Sequence, residues 1–168
     1  MVFILPYEPK DSHAMELLVR DFFAWQQRLL GNHSSLDGAE ASLVTAEDLL
    51  TPNSWIIVAE EETEKRLVGF VRWEKREGAF LGREIFVNPD DRHQGIGTRL
   101  QEEVERCVRQ AGGEALFVSI LPQNRSMLRF AFQRGYDTLN TVELRKDLTA
   151  RRAKRGRISL FGLHFRVL

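Results

Sequence analysis

The spacing of hydrophobic positions along the chain changes several times, and each change marks an element. A short apolar run at residues 2–5 reads as a strand. Over residues 11–30, Ala14, Leu17, Leu18, Phe22, Trp25 and Leu29 recur at intervals of three and four, which is one face of a helix. Asp11 and Ser12 offer acceptors to its first amides, and Gly31 supplies a stop. Residues 32–43 are polar and irregular; Thr45 followed by Asp48 then caps a short helix that Pro52 ends. Three β-branched and aromatic runs come next, at 55–60, 67–73 and 79–87, separated by charged tracts that read as turns. They predict an antiparallel meander.

From Gly95 the period lengthens to 3.6, and Ile96, Leu100, Val104, Cys107, Val108 and Ala111 make a stripe that stops at Gly112 and Gly113. Residues 115–121 read as a strand, 124–134 as a helix stopped by Gly135, and 136–148 as extended chain. The predicted order is βααβββαβαβ. The strand, helix and strand of residues 79–121 should form a right-handed crossover between parallel neighbours, so the sheet is expected to be mixed. Residues 158–168 read as a final strand or as a hairpin turning at Gly162.

Composition narrows the class. A chain of 168 residues with 43% hydrophobic content predicts one domain with a sizeable core. Residues 1–148 are expected to form it, with 149–168 as a basic linker and a strand or hairpin, packed on the same domain or on a second copy. Lys plus Arg and Asp plus Glu both number 24, for zero net charge, which disfavours a nucleic-acid partner. Charge is nevertheless uneven: residues 145–157 carry seven basic side chains and one acid. With one cysteine, Cys107, no intrachain disulfide can form, and a reducing cytoplasm is expected. His13, His33, His93 and His164 show no ligand spacing, so no metal is expected. The apolar N-terminus is broken by Pro6, far short of a membrane span.

The chemistry is concentrated at residues 84–100, EIFVNPDDRHQGIGTRL. A strand runs through Pro89 into a loop whose glycines, Gly95 and Gly97, open a helix. The helix's leading amides, with the dipole behind them, make an anion site, and a pyrophosphate suits it because glycines allow close approach. Arg92 is expected to add a cation at the rim. Two familiar phosphate loops fail here. A P-loop needs Lys where Thr98 stands, and the dinucleotide fingerprint needs Gly or Ala where Leu100 stands.

The run Val87, Pro89, then Arg92-x-x-Gly95-x-Gly97 resembles the acyl-CoA-binding motif of the GNAT superfamily of N-acyltransferases. Asn124 opening the next helix, Gly135 and Tyr136 closing it, and ELRKDL at 143–148 fall in that family's order, so the resemblance covers residues 55–148. It implies an α/β fold of GNAT type, a mixed and mostly antiparallel sheet flanked by helices. It also implies acetyl-CoA as co-substrate, with acetyl transferred to a primary amine of a small molecule or protein.

By the resemblance, the pyrophosphate would lie on the amides of His93, Gln94, Gly95, Ile96, Gly97 and Thr98. The pantetheine would lie against Ile85, Phe86 and Val87, with Asn124 and Phe130 on its other side, between two strands that splay apart. The Val87 amide would serve the oxyanion and Glu84 would act as base, in an apolar setting on the face shared with Gly82 and Phe86. An exposed strand end, or an ion pair of Glu84 with Arg83 or another cation, is the competing reading. The family's tyrosine acid would fall at residue 131, where Ala131 stands. Tyr136, Ser119 or water are the alternatives, and a thiol pKa of about 8.5 lets the thiolate leave with little help. A CoA-binding module without turnover is the rival reading. The acceptor is expected to meet residues 32–53 and 75–78, where loops vary on a fixed scaffold.

Overall fold

The computed structural model describes residues 1–30, 46–144, 146, 148 and 156–167. The elements are β1 (Val2–Pro6), α1 (Ser12–Leu30), α2 (Ala46–Leu49), β2 (Ser54–Glu61), β3 (Leu67–Arg76), β4 (Ala79–Val87), α3 (Ile96–Gln110), β5 (Leu116–Val118), α4 (Arg125–Gln133), β6 (Gly156–Leu160) and β7 (Leu163–Val167). The chain divides into two compact units, Met1–Arg28 with Asn32–Ser119, and Leu29–Gly31 with Ile120–Leu168.

The first unit is built on a five-stranded sheet in the order β1-β2-β3-β4-β5. Its first four strands pair antiparallel, and β4 with β5 parallel, as the crossover rule requires. Because successive side chains alternate between faces, each strand feeds two cores. On one face Met15, Leu18, Val19 and Phe22 of α1 pack with Val58, Phe70 and Phe86. On the other, Ile96, Leu100, Val104 and Val108 of α3 pack with Val71, Trp73 and Phe80. The α3 stripe matches the 3.6-residue period. In α1 the buried line runs through Met15 and Val19, and Leu17 is 42% exposed.

The outer edge of β1 is blunted. Met1 O accepts from Glu62 N and Tyr7 N donates to Ile56 O, so alternation turns the peptide groups of Val2, Ile4 and Pro6 away from β2, while the side chains of Val2 and Ile4 pack on the core. Arg99 Nη1 covers Val2 O at 2.8 Å, and Pro6 has no N–H to offer.

In the second unit, α4 ends at Gln133 and is followed by a left-handed Gly135, and β6 and β7 form a hairpin around Phe161 and Gly162, both in the left-handed region as a two-residue turn requires. The strand expected over 136–148 is not formed among its described residues. Asp137 and Asn140 interrupt the apolar run, and the described residues of this stretch pair with no strand. Leu139 and Leu144 accordingly stay exposed. The irregular stretch 32–43 and most of the basic run lie outside the described residues.

Candidate active site

The site is set by an irregularity in the β3–β4 hairpin. Counting from its turn at Glu77 and Gly78, Arg76 faces Ala79 and Trp73 faces Gly82. Regular pairing would then set Arg72 opposite Arg83, a repulsive pair. A bulge instead skips Arg83, so that Arg72 faces Glu84. This corrects the expected alternation: Gly82 lies with Trp73 and Phe80 toward α3, whereas Glu84 lies with Phe86 toward α1.

Glu84 is not in an apolar setting. Arg72, only 6% exposed, grips it with two prongs, Nε on Oε2 and Nη2 on Oε1, the latter at 3.0 Å. The same guanidinium donates through Nη1 to Leu49 O at 3.1 Å and to Glu74 Oε2 at 3.4 Å. Arg83 approaches Glu74 at 3.7 Å. The cross-strand reading of Glu84 is therefore an ion pair, with Arg72 rather than Arg83 as the cation. The role as base that the resemblance gives it gains no support from this geometry.

Next to this cluster the sheet opens. The β4–β5 ladder runs from Phe80 and Leu116 only to Gly82 and Val118, while β4 continues to Val87. Asn88 N donates to Val68 O at 2.9 Å, so the alternation of an antiparallel ladder directs Glu84 and Phe86 to β3. The peptide groups of Ile85 and Val87 face the edge that β5 has left. Val87 O accepts from Arg92 Nε at 2.9 Å, and its N–H faces the opening.

A tight loop then carries the chain from β4 into α3. Arg66 clamps Asp91 with two bonds of 2.9 and 3.1 Å, fixing the loop to the start of β3. His93 and Gly95 both take the left-handed conformation, φ 63° and 77°, which costs strain at His93 and none at Gly95. A Cβ on Gly95 would have no atom within 4 Å, so the backbone there is open to a ligand. The amides of Ile96 and Gly97 lead α3 and have no acceptor within the helix. Gln94 and Thr98 lie in the same loop and first turn.

Arg92 does not stand at the rim as expected. It turns inward, its guanidinium 5.6 Å from the Phe86 ring centre and 5.8 Å from that of Trp25. Burial pulls its pKa below the usual arginine value.

Asn124 and Phe130 belong to the second unit. Asn124 caps α4, its side chain accepting from Met127 N at 3.1 Å, and Ala131 is buried in that helix. Cys107 is half-buried on α3, and burial raises its thiol pKa. Among the described residues no group of three or more His, Cys, Asp or Glu could hold a metal ion, and no helix is long and apolar enough to cross a membrane. A shallow hollow of about 330 Å³, lined by Lys75, Gly78, Phe80 and Gly112, lies at the far end of α3 from the leading amides. The sequence signal for Arg72 was its place on a strand paired with β4, and the bulge hid which residue it faces.

Residues 52–138, more than half of the 168, match the family model described as an acetyltransferase (GNAT) domain. No curated protein matches the chain. Several solved structures share its fold. PaiA N-acetyltransferase from Thermoplasma acidophilum in complex with coenzyme A is 16% identical over 80% of this chain and 88% of that one, with a TM-score of 0.65. Aminoglycoside N-acetyltransferase AAC(6')-Iy in complex with a bisubstrate analogue, CoA-S-monomethyl-acetylneamine, is 14% identical over 89% and 99%, with a TM-score of 0.62. Ribosomal-protein-alanine N-acetyltransferase from Brucella melitensis biovar Abortus 2308 is 15% identical over 90% and 100%, with a TM-score of 0.58.

Proposed function

The chain belongs to the GNAT family of acetyltransferases, and from that premise we propose that it transfers acetyl from acetyl-CoA to a primary amine by direct attack. The observation that carries this reading is the free edge of β4 at residues 83–87, running straight into the leading amides of α3. A linear chain with two amide groups satisfies an opened strand edge as an added strand would, and a pyrophosphate satisfies a helix N-terminus. The PaiA structure, solved with coenzyme A, supports the same ligand here.

Bound acetyl-CoA supplies an activated thioester with a good leaving group. The chain's part is to hold and polarise it. Ile85 and Val87 bind the pantetheine amides, and Ile96 and Gly97 bind phosphate oxygens. The Val87 N–H donates to the developing oxyanion, with the Arg92 charge, fixed on Val87 O, close by. A reducing, cytoplasmic setting agrees with the single thiol. The second reading, a CoA-binding module without turnover, is favoured by Ala131, which brings no hydroxyl to the place where the family has tyrosine. Release of thiol from acetyl-CoA that depends on added amine decides between them.

Calorimetric titration with CoA tests the site. Gly95→Glu places a negative charge where the pyrophosphate is expected and should weaken CoA at least tenfold, about 1.4 kcal/mol or more. Gly95→Asn tolerates the left-handed conformation and should stay within a few-fold of wild type. Unchanged affinity in Gly95→Glu contradicts the assignment.

A further inference from the structure

Stopping α3 needs one glycine, and the chain has two. Gly112 takes the left-handed conformation that closes the helix. Gly113 serves a close approach: a Cβ there would sit 2.5 Å from Val108 Cγ1 and 2.6 Å from the Phe80 ring. The hollow of about 330 Å³ beside this turn falls within the range of small-molecule sites, about 300–1,000 Å³. Gly78, in the β3–β4 turn, and Gly112 both border it. A Cβ on either would meet no atom within 4 Å, so the main chain on two sides is open to an occupant.

The hollow carries one charge of each sign. Lys75 faces Phe80 across the hairpin, with its Nζ 5.0 Å from the ring centre, and Glu114 stands on the segment that leads into β5. Among the described residues, no ion pair within 4.0 Å joins Lys75 or Glu114 to an opposite charge. Glu74, the acid beside Lys75 in sequence, points to the other face of the sheet, where it meets Arg72 and Arg83. The carboxyl end of α3 borders the hollow through Ala111 and Gly112, and its dipole adds to the negative side that Glu114 begins. Phe117, half-buried, supplies an apolar wall.

We propose that this hollow binds a free α-amino acid with an apolar side chain. Its carboxylate bonds Lys75 Nζ, its ammonium meets Glu114 and the end of α3, and its side chain rests on Phe117. A simple anion would face Glu114 and a simple cation would face Lys75, whereas a zwitterion satisfies both charges. The occupant is not an acetyl acceptor. The fifteen residues of α3 put about 22 Å between this hollow and the leading amides at the other end of the helix. The inference therefore stands apart from the proposed acetyl transfer.

The test is an amide NMR titration of the full chain with L-leucine. Shifts at Gly78, Gly112, Gly113 and Glu114 should saturate with a dissociation constant in the millimolar range or tighter. N-acetyl-L-leucine lacks the ammonium and L-leucinamide lacks the carboxylate, and each should bind at least tenfold more weakly. Lys75→Met and Glu114→Gln, both on the surface, should each weaken L-leucine at least tenfold with the melting temperature unchanged. The inference is overturned if no saturating shifts arise at these four residues, if either blocked analogue binds as well as L-leucine, or if both folded variants keep the wild-type affinity. Shifts confined to Ile85, Val87 and the leading amides of α3 would place L-leucine at the acetyl-transfer site and overturn it equally.

Discussion

At the scale of single residues, the strand β3 shows how tightly the core constrains side chains. Gly69 faces Val87 across the hairpin, and a Cβ added there would lie 2.8 Å from Phe86 O, a backbone atom that cannot step aside. Gly69→Ala should therefore destabilise the chain by about 1–3 kcal/mol, read as a lower urea midpoint with an unchanged slope. Stability equal to wild type would mean that β3 and β4 lie farther apart. The same scale marks a limit of the sequence. The glycines at 95 and 97 announce the loop, because their spacing is local. The partner of Glu84 is not legible: it depends on whether a bulge skips Arg83, and only the energy of two facing arginines argues for that.

At the scale of elements, long periodic segments are legible and short or unpaired ones are not. The stripe of α3 reads off directly because Ile96, Leu100, Val104 and Val108 all serve one face. The α1 pattern misplaces its centre by a part-turn, since Leu17 and Leu18 are equally apolar and packing alone chooses Leu18. β5 shrinks to Leu116–Val118, and the described residues of 136–148 form no strand, because extended residues count as a strand only where a ladder closes on them. For α4 the cap is the element's own support. Asn124→Ala removes the acceptor of Met127 N and should cost about 1 kcal/mol, whereas Asn124→Asp keeps it. Thermal unfolding of the two variants separates them; equal melting temperatures would deny the cap.

At the scale of the whole molecule, mixed charge with zero net sum sets the response to acid. Glu61 accepts from the backbone of Glu64 and Thr63, and Glu103 is gripped by Arg106; both carboxyls are held below their usual 4.5. A lowered folded-state pKa contributes stability that is present above about pH 4.5 and is lost as pH falls through the folded value. Urea unfolding should give nearly constant stability from pH 7 down to about 4.5 and a decline below. The double variant Glu61→Gln, Glu103→Gln should start slightly lower and decline less steeply. Identical pH profiles would remove both groups from the acid response.

The fold and the glycine loop that opens α3 are legible in the sequence because both rest on local spacing. The proton chemistry is not, because it rests on a register. The central claim is that the outward amides of β4 and the leading amides of α3 together receive coenzyme A. Residue-resolved hydrogen exchange with and without CoA tests it most directly. The account predicts that the Ile85, Val87, Ile96 and Gly97 amides exchange fast in the free chain and slow at least tenfold with CoA, while Phe86 and Asn88, already bonded to β3, change little. Protection at Gly78, Gly112 and Gly113 instead, with none at Val87, would place the ligand at the other end of α3 and contradict the account.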